Sequence, residues 1–197
     1  MAALSFLMQH QEVKPPSALH DVIQDFWYIS RDFGELPTSF EVAPDGYAEI
    51  IFYFGRGCSI ATPEGLQPLP SPFMVGLLNR PVHFYAQNRL QVIGVKCFPW
   101  AVPELLGLPA GKGGVHSIAH PIAQLQATLA ACIEAGKIEE ALAEAAHYFG
   151  QARLRMANNQ LLGKAGAAMR AARGTLPVAR WQRRRTPRCA PSSETSS

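Results

Sequence analysis

The segment APDGYAEIIFYFG, residues 43–55, decides how the first half of the chain folds. It begins with turn chemistry: Pro44 restricts φ, the Asp45 side chain can hydrogen-bond to nearby backbone, and Gly46 tolerates a positive φ. The run that follows, residues 47–55, is rich in aromatic and β-branched residues, which predicts a β-strand. A tight turn leading into such a strand is typical of an antiparallel sheet.

Other strand-like runs lie on both sides of this segment. Residues 19–32 carry apolar groups on both alternating faces, as expected in a closed barrel or a sandwich. Few helical signals interrupt residues 19–98, which disfavours a parallel sheet with crossover helices. Short turn sequences separate the remaining runs, which are residues 57–61, 73–78, 81–86 and 90–98. This half is therefore predicted to be an antiparallel barrel or sandwich.

From Pro99 onward the apolar residues recur with a helical period. GKGG at 111–114 predicts a loop, and Gly174 stands where a glycine often follows the end of a helix. The predicted helical segments are residues 100–109, 121–135, 138–149 and 161–172. The sequence alone thus indicates an α+β fold in which a β-rich half precedes a helical half.

Charge is unevenly distributed along the 197 residues. Residues 173–197 hold six arginines and one glutamate, a balance of +5, whereas the preceding 172 residues carry −2. The body therefore offers no general basic face for nucleic acid. The arginine run can be a basic arm that contacts DNA phosphates or a solvated tail, and the tail is the commoner outcome. The candidate DNA contacts are Arg180, Arg183, Arg184 and Arg185.

The amino terminus and the cysteines point to a cytoplasmic protein. The first ten residues lack the basic and apolar regions of a secretion signal, and no apolar run approaches the ~20 residues that span a bilayer. The four cysteines lie far apart with no CxxC pair, so a zinc site is not expected. We therefore expect reduced thiols and no membrane partner.

The motifs of catalysis are missing from the sequence, so we expect no enzyme activity, no cofactor and no metal. Metal-binding barrels need converging histidines, but no H-x-H occurs and only His83 lies in a predicted strand. His116 and His120 are four residues apart, yet their neighbours favour a loop that leads into a helix. Cys97 shares a strand face with apolar residues and is expected in the core.

Glu49 is the most suggestive polar residue, because it lies inside the apolar strand 47–55. One interpretation is a ligand pocket in which Glu49, Tyr47 and Tyr53 share the inner face and offer hydrogen bonds. The other is that this face is the outer, partly wetted one, which is the commoner arrangement for such a glutamate. Trp27 and Phe84 are further candidates for ligand contact, although aromatic residues in strands belong more often to the core.

Four phrases carry a resemblance to a known family: PDGYAEIIFYFG (44–55), FMVGLLNRP (73–81), VIGVKCFPWAVPELLGLP (92–109) and AGAAMRAARGTLPVA (165–179). The chain resembles AraC/XylS-type bacterial transcription regulators, specifically the group whose amino-terminal sensor is a small cupin-like barrel. The resemblance implies an α+β fold, with a cupin-like antiparallel β-barrel in residues 1–98 and a helical subdomain in residues 99–173. It also implies that residues 174–197 hold the beginning of a helix-turn-helix and a basic tail.

The same resemblance implies a function: sensing a small-molecule effector, forming a homodimer, and controlling attached DNA-binding modules. After Ala179, however, the sequence RWQRRRTPRCAPSSETSS lacks the apolar period of a helix-turn-helix, which suggests a truncation or frameshift near residue 180. DNA would then be bound only through the missing carboxy-terminal region. Two alternatives stay open: a stand-alone small-ligand-binding or protein-interaction domain with no DNA role, and a barrel enzyme.

Overall fold

The computed structural model describes residues 8–108 and 113–155, together with the isolated positions 166, 168 and 171. The strands of these ranges are β1 (Gln9–Val13), β2 (Ile23–Asp32), β3 (Thr38–Val42), β4 (Ala48–Phe54), β5 (Cys58–Thr62), β6 (Gly65–Pro68), β7 (Phe73–Val75), β8 (Val82–Ala86), β9 (Arg89–Cys97) and β10 (Val115–Ser117). The α-helices are α1 (Ala101–Leu106), α2 (Leu125–Glu134) and α3 (Ile138–Arg155). Short 3-10 turns lie at Ser17–Leu19 and Pro121–Gln124.

The strands form two antiparallel sheets. The larger sheet has six strands in the order β1-β2-β9-β4-β7-β10, and the smaller has four in the order β3-β8-β5-β6. In the larger sheet Gly94 of β9 lies between Trp27 of β2 and Ile51 of β4, and Lys96 likewise lies between Asp25 and Glu49. These two rows place the residues of the candidate site on one face of the sheet.

The six-stranded sheet is covered on both faces. Because side chains alternate along a strand, Ile50 and Phe52 of β4 pack into one apolar core while Ile51 packs into another. The first core joins the sheet to the three helices, and the second joins it to the four-stranded sheet. The layers are therefore the small sheet, the large sheet and the helices.

The helices are held by large apolar side chains. Phe149 of α3 is fully buried and lies 6.0 Å, between ring centroids, from Phe26 of β2. Burying a side chain of this size stabilises a fold by about 1.5–3 kcal/mol. Helix α1 ends at Gly107, whose φ of 62° is the left-handed conformation that glycine adopts without strain.

The α+β class is confirmed, and the main strands and helices overlap the predicted runs, although α3 continues to Arg155, beyond the predicted end at residue 149. The barrel prediction is modified, because the two sheets enclose a space without being joined into one hydrogen-bonded cylinder in the described residues. Four strands were not predicted: β1, β3, β6 and β10. His116 lies in β10, not in the predicted loop, whereas His120 does precede a helical turn and accepts a hydrogen bond from the Ile122 N–H.

The division of the chain into three segments, at residues 1–98, 99–173 and 174–197, stays a prediction. Strand β10, Val115–Ser117, lies beyond residue 98 but belongs to the large sheet. The predicted helical segment 161–172, apart from three isolated helical positions, lies outside the described residues. So do the basic segment and its candidates Arg180, Arg183, Arg184 and Arg185. Among the helices in the described ranges, none is long and apolar enough to cross a membrane.

Candidate functional site

A cavity of about 230 Å³ lies between the two sheets, and we call it the apolar chamber. Its walls come from both sheets and consist mostly of aliphatic and aromatic side chains. Glu49 and Arg31 are the charged residues in those walls. The lining residues are Trp27, Ile29, Arg31, Phe33, Phe40, Val42, Glu49, Ile51, Tyr53, Cys58, Phe73, Val75, Phe84, Leu90 and Val92.

Five aromatic rings form a continuous row along the chamber. Phe33 and Phe40 lie 5.2 Å apart between ring centroids, and Phe40 stacks on Phe84 at 5.6 Å. The row continues from Phe84 to Phe73 at 5.9 Å and from Phe73 to Tyr53 at 6.2 Å. These separations are those of favourable offset or tilted ring pairs, so the row is a rigid wall suited to flat apolar groups.

The Trp27 indole lies over Gly94 on the chamber face of the large sheet. A Cβ atom added to Gly94 would lie 2.1 Å from Cε2 of Trp27, far inside van der Waals contact. The space left by the missing side chain is thus filled by the indole. A glycine inside a strand often marks such a close approach, and this was the signal in the sequence that Gly94 belonged to the site.

Glu49 places a carboxylate at one end of the chamber. Its side chain is 15% exposed, and one of its oxygens lies 3.5 Å from Nζ of Lys96. Burial raises the pKa of Glu49, Lys96 opposes that rise, and the nearby Asp45 adds to it. The Trp27 side chain also hydrogen-bonds to this carboxylate. Glu49 is therefore a charge that the protein only partly compensates.

A second cavity of about 250 Å³ adjoins this end, and we call it the polar cleft. It shares Trp27, Ile29 and Glu49 with the apolar chamber. The residues that line the polar cleft are His10, Glu12, Asp25, Trp27, Ile29, Glu49 and Lys96. The chamber therefore runs from an aromatic interior to an acidic end.

Tyr53 connects the chamber to helix α2 through a closed set of hydrogen bonds. Its backbone N–H donates to Oγ of Ser71 at 2.9 Å, and that hydroxyl donates to Oε1 of Gln126 at 2.8 Å. Nε2 of Gln126 donates back to the Tyr53 carbonyl at 3.0 Å. The Tyr53 hydroxyl donates to the Leu69 carbonyl at 2.6 Å. These hydrogen bonds tie the Tyr53 backbone to the first turn of α2.

The cysteines of the described residues are buried or partly buried thiols. Cys58 lines the chamber, and burial raises the pKa of its thiol to about 11. It is therefore a neutral side chain at physiological pH and a poor nucleophile. Burial also raises the pKa of Cys97, which lies in the core as predicted. Within the described ranges, no three His, Cys, Asp or Glu residues are grouped to hold a metal ion.

Four of the five predicted ligand-contact residues line one cavity: Trp27, Glu49, Tyr53 and Phe84. The structure places Glu49 on the chamber face, while Ile50 and Phe52 pack beneath the helices as the alternative interpretation expected. The fifth, Tyr47, precedes β4, and its ring packs on Phe98 at 5.6 Å, so it is not among the residues that line the chamber.

The fold and the cavity define a class: an α+β protein whose two antiparallel sheets enclose an aromatic-lined chamber with a carboxylate at one end. The chain belongs to the family named for a domain of unknown function, DUF6597, whose model matches residues 11–114. That range contains every residue that lines the chamber. No curated protein sequence matches the chain.

Two solved structures show weak similarity. One is an HTH_3 family transcriptional regulator from Vibrio cholerae, with 14% identity, a TM-score of 0.35, and coverage of 47% of this chain and 51% of that one. The other is a predicted oxalate decarboxylase from Thermotoga maritima, with 12% identity, a TM-score of 0.34, and coverage of 46% and 80%. This chain spans about half the length of the regulator. Similarity at this level carries no inference about function.

Proposed function

We propose that the chain is the effector-sensing part of an AraC-type, cytoplasmic transcription regulator, and that a small molecule occupies the apolar chamber. The observation that carries the proposal is the chamber itself. Its volume of about 230 Å³ exceeds the roughly 150 Å³ of a dry apolar cavity that binds benzene. Apolar walls with a few converging polar groups are typical of small-molecule sites. The regulator assignment is supported by the sequence resemblance.

The proposed mechanism is linkage between the chamber and the helices. In this mechanism, a ligand that displaces the Tyr53 backbone weakens the hydrogen bonds that Gln126 of α2 makes with the Tyr53 carbonyl and with Ser71. A ligand shifts a conformational equilibrium only by its difference in affinity for the two states. In the proposed mechanism, the contact through Gln126 supplies such a difference, because it is made in one arrangement of the wall and the helix and broken in the other.

Binding in the chamber is tested by filling it. Val92 lines the chamber, so Val92→Phe places extra atoms where the ligand would lie. We expect small aromatic compounds to raise the melting temperature of the wild type and not that of Val92→Phe. Val13→Phe is the matched control, because Val13 lies on edge strand β1 and is 40% exposed. An unchanged response in Val92→Phe would reject the chamber as the binding site.

Linkage is tested by hydrogen–deuterium exchange of α2 with and without a bound compound. We expect binding to change exchange in the first turn of α2, and we expect Gln126→Ala to keep binding but lose that change. Loss of these hydrogen bonds should destabilise the fold by only about 1 kcal/mol. Gln124→Ala is the control, because Gln124 is an exposed residue of the preceding turn. An identical exchange response in both variants would refute the linkage.

The regulatory part of the proposal is tested in cells with the chain fused to a helix-turn-helix DNA-binding module and a reporter on the promoter that this module binds. A compound that binds the chamber should change reporter output in the wild type and not in Val92→Phe. We also propose a homodimer, so light scattering should give twice the chain mass of 21.5 kDa. Chamber binding without any effect on transcription would favour a stand-alone ligand-binding domain.

A further inference from the structure

We infer that the ligand of the apolar chamber is a small aromatic amine in its ammonium form, with its ring between the two sheets and its cationic group beside Glu49. This inference rests on the proposed function and goes further by naming the chemistry of the ligand. Three features carry it: the charge balance at one end of the chamber, the size and aromatic character of its interior, and the position of Arg31.

Carboxylates outnumber ammonium groups around the polar cleft. In this part of the described structure, four carboxylates lie with two lysines. His10 also lines the cleft, and it adds positive charge only when protonated. The carboxylates are Glu12, Asp25, Asp45 and Glu49, and the lysines are Lys14 and Lys96. The cleft therefore attracts a cation.

Each lysine is closer to an outer carboxylate than to an inner one. Nζ of Lys96 lies 2.9 Å from Asp45 but 3.5 Å from Glu49. Nζ of Lys14 lies 3.1 Å from Glu12 but 3.9 Å from Asp25. The lysines thus neutralise the solvent side of the cleft more fully than the side that faces the chamber.

The two inner carboxylates are also the buried ones. The Asp25 and Glu49 side chains are 8% and 15% exposed, whereas the Asp45 and Glu12 side chains are 44% and 43% exposed. Burial raises the pKa of Asp25, and the neighbouring Glu12 adds to that rise. Removing a carboxylate from water is unfavourable unless a positive group replaces the lost hydration. An ammonium group beside Glu49 would supply that compensation.

The interior of the chamber suits a single aromatic ring with a short side chain. Its volume of about 230 Å³ exceeds the roughly 150 Å³ of a benzene-binding cavity but is below the roughly 300–1,000 Å³ of sites for drug-sized molecules. The row of rings from Phe33 to Tyr53 offers faces and edges against which a flat ring packs. Trp27, at the acidic end, adds an aromatic face that also attracts a cation.

Arg31 defines the opposite end of the chamber and fixes the orientation of the ligand. It lies six residues along β2 from Asp25, a distance of about 20 Å in an extended strand. Its guanidinium lies 4.7 Å from the centroid of the Phe33 ring. A ligand ammonium at that end would meet a like charge, so the cationic group belongs at the Glu49 end.

The test uses three probes with the same ring and different head groups: 2-phenylethylamine, 2-phenylethanol and 3-phenylpropanoate. Isothermal titration of the full chain gives the three dissociation constants. We expect the amine to bind about tenfold or more tightly than the alcohol and the acid. In Glu49→Gln the amine should lose about that factor, while the alcohol should bind as in the wild type.

Controls separate charge from folding. Glu139→Gln removes an exposed carboxylate from α3 and should leave all three affinities unchanged. Binding of the alcohol by Glu49→Gln reports an intact chamber. Should Glu49→Gln fail to fold, Asp25→Asn removes the second inner carboxylate and should weaken the amine selectively, by a smaller factor.

The outcomes distinguish this inference from the proposed function. Equal affinity for all three probes, or a preference for the acid, would overturn the amine assignment. If Val92→Phe still abolished the binding of those probes, the chamber would remain the ligand site and only the class of ligand would be wrong. Absence of binding by every probe at millimolar concentration would overturn the amine assignment, whereas the proposed function is judged by its own test with Val92→Phe.

Discussion

The two faces of the six-stranded sheet have opposite properties, although the same strands supply both. On the helix face, Phe26, Ile50 and Phe52 are fully buried in a continuous core. On the chamber face, Ile51 and Val92 border a cavity, and a row of charged residues crosses the sheet at one end. The helix face has the packing of a stable core, whereas the chamber face leaves a cavity open and the charge of Glu49 only partly compensated. The packed core and the open cavity therefore lie on opposite sides of one sheet.

The largest difference between the faces should appear when a buried ring is removed from each. Phe52→Ala removes a ring packed on every side and should reduce the free energy of unfolding by about 3–5 kcal/mol. Phe84 is also buried, at 2% exposure, but it borders the chamber. Phe84→Ala should cost clearly less, because part of its surroundings is already empty. Urea unfolding measures both, and equal losses would contradict the contrast between the faces.

The next largest effect should come from Gly94, where the chamber face has no room for a side chain. Gly94→Ala forces the Trp27 indole to move and should destabilise the fold by about 1–3 kcal/mol. It should also change the tryptophan fluorescence and the probe affinities. Gly150→Ala is the matched control in α3, where an added Cβ meets nothing within 4 Å. The control should gain about 0.5–1 kcal/mol from helix propensity. Unchanged fluorescence in Gly94→Ala would place the indole elsewhere.

The smallest effect concerns the buried charge of Glu49. Because burial raises its pKa in the folded state, the carboxyl ionises at lower pH in the unfolded chain than in the folded one. Stability is therefore lost as the pH rises from the unfolded value, about 4.3, through the folded value. The Glu49→Gln variant has no carboxyl group at this position, so its stability does not fall in this way. At pH 7.5 the melting temperature of Glu49→Gln should exceed that of the wild type, by about 2–4 °C for each kcal/mol of destabilisation that the substitution removes. Near pH 3.5, where the carboxyl is protonated in both states, the two melting temperatures should converge.

Calorimetry at the two pH values measures that difference. In Glu49→Gln, Lys96 keeps its contact with Asp45 at 2.9 Å, so the variant does not leave the ammonium without a partner. A variant less stable than the wild type at pH 7.5 would mean that the attraction between Glu49 and Lys96 outweighs the effect of burial.

The sequence predicted the fold where one pattern dominates. Strands β4 and β9 and helices α2 and α3 were found because their apolar residues repeat with a clear period. Strand β1, with the sequence QHQEV, was missed because it is a polar edge strand with four of its five residues exposed. Strand β6 was missed for the same reason, since all its residues are exposed. Such strands are formed by backbone pairing with a neighbour, which leaves no periodic signal in their own side chains.

The candidate site was predicted in part for a similar reason. Alternation along β4 placed Glu49 and Tyr53 on one face, but both faces of this strand are apolar, so the sequence could not say which face meets the cavity. Tyr47 was assigned to the site as if β4 began one residue earlier than Ala48. The pairing of Gly94 with Trp27 depends on the register of β2 and β9, which no local pattern specifies.

Strict alternation in β4 has a consequence for how such a protein can change over time. Residues 49, 51 and 53 contact the cavity, whereas residues 50 and 52 hold the helices. Substitutions at the odd positions can change the shape and charge of the cavity while the even positions keep the packing under the helices. A single inserted residue within the strand would exchange the two sets at once, so this strand tolerates replacement far better than insertion.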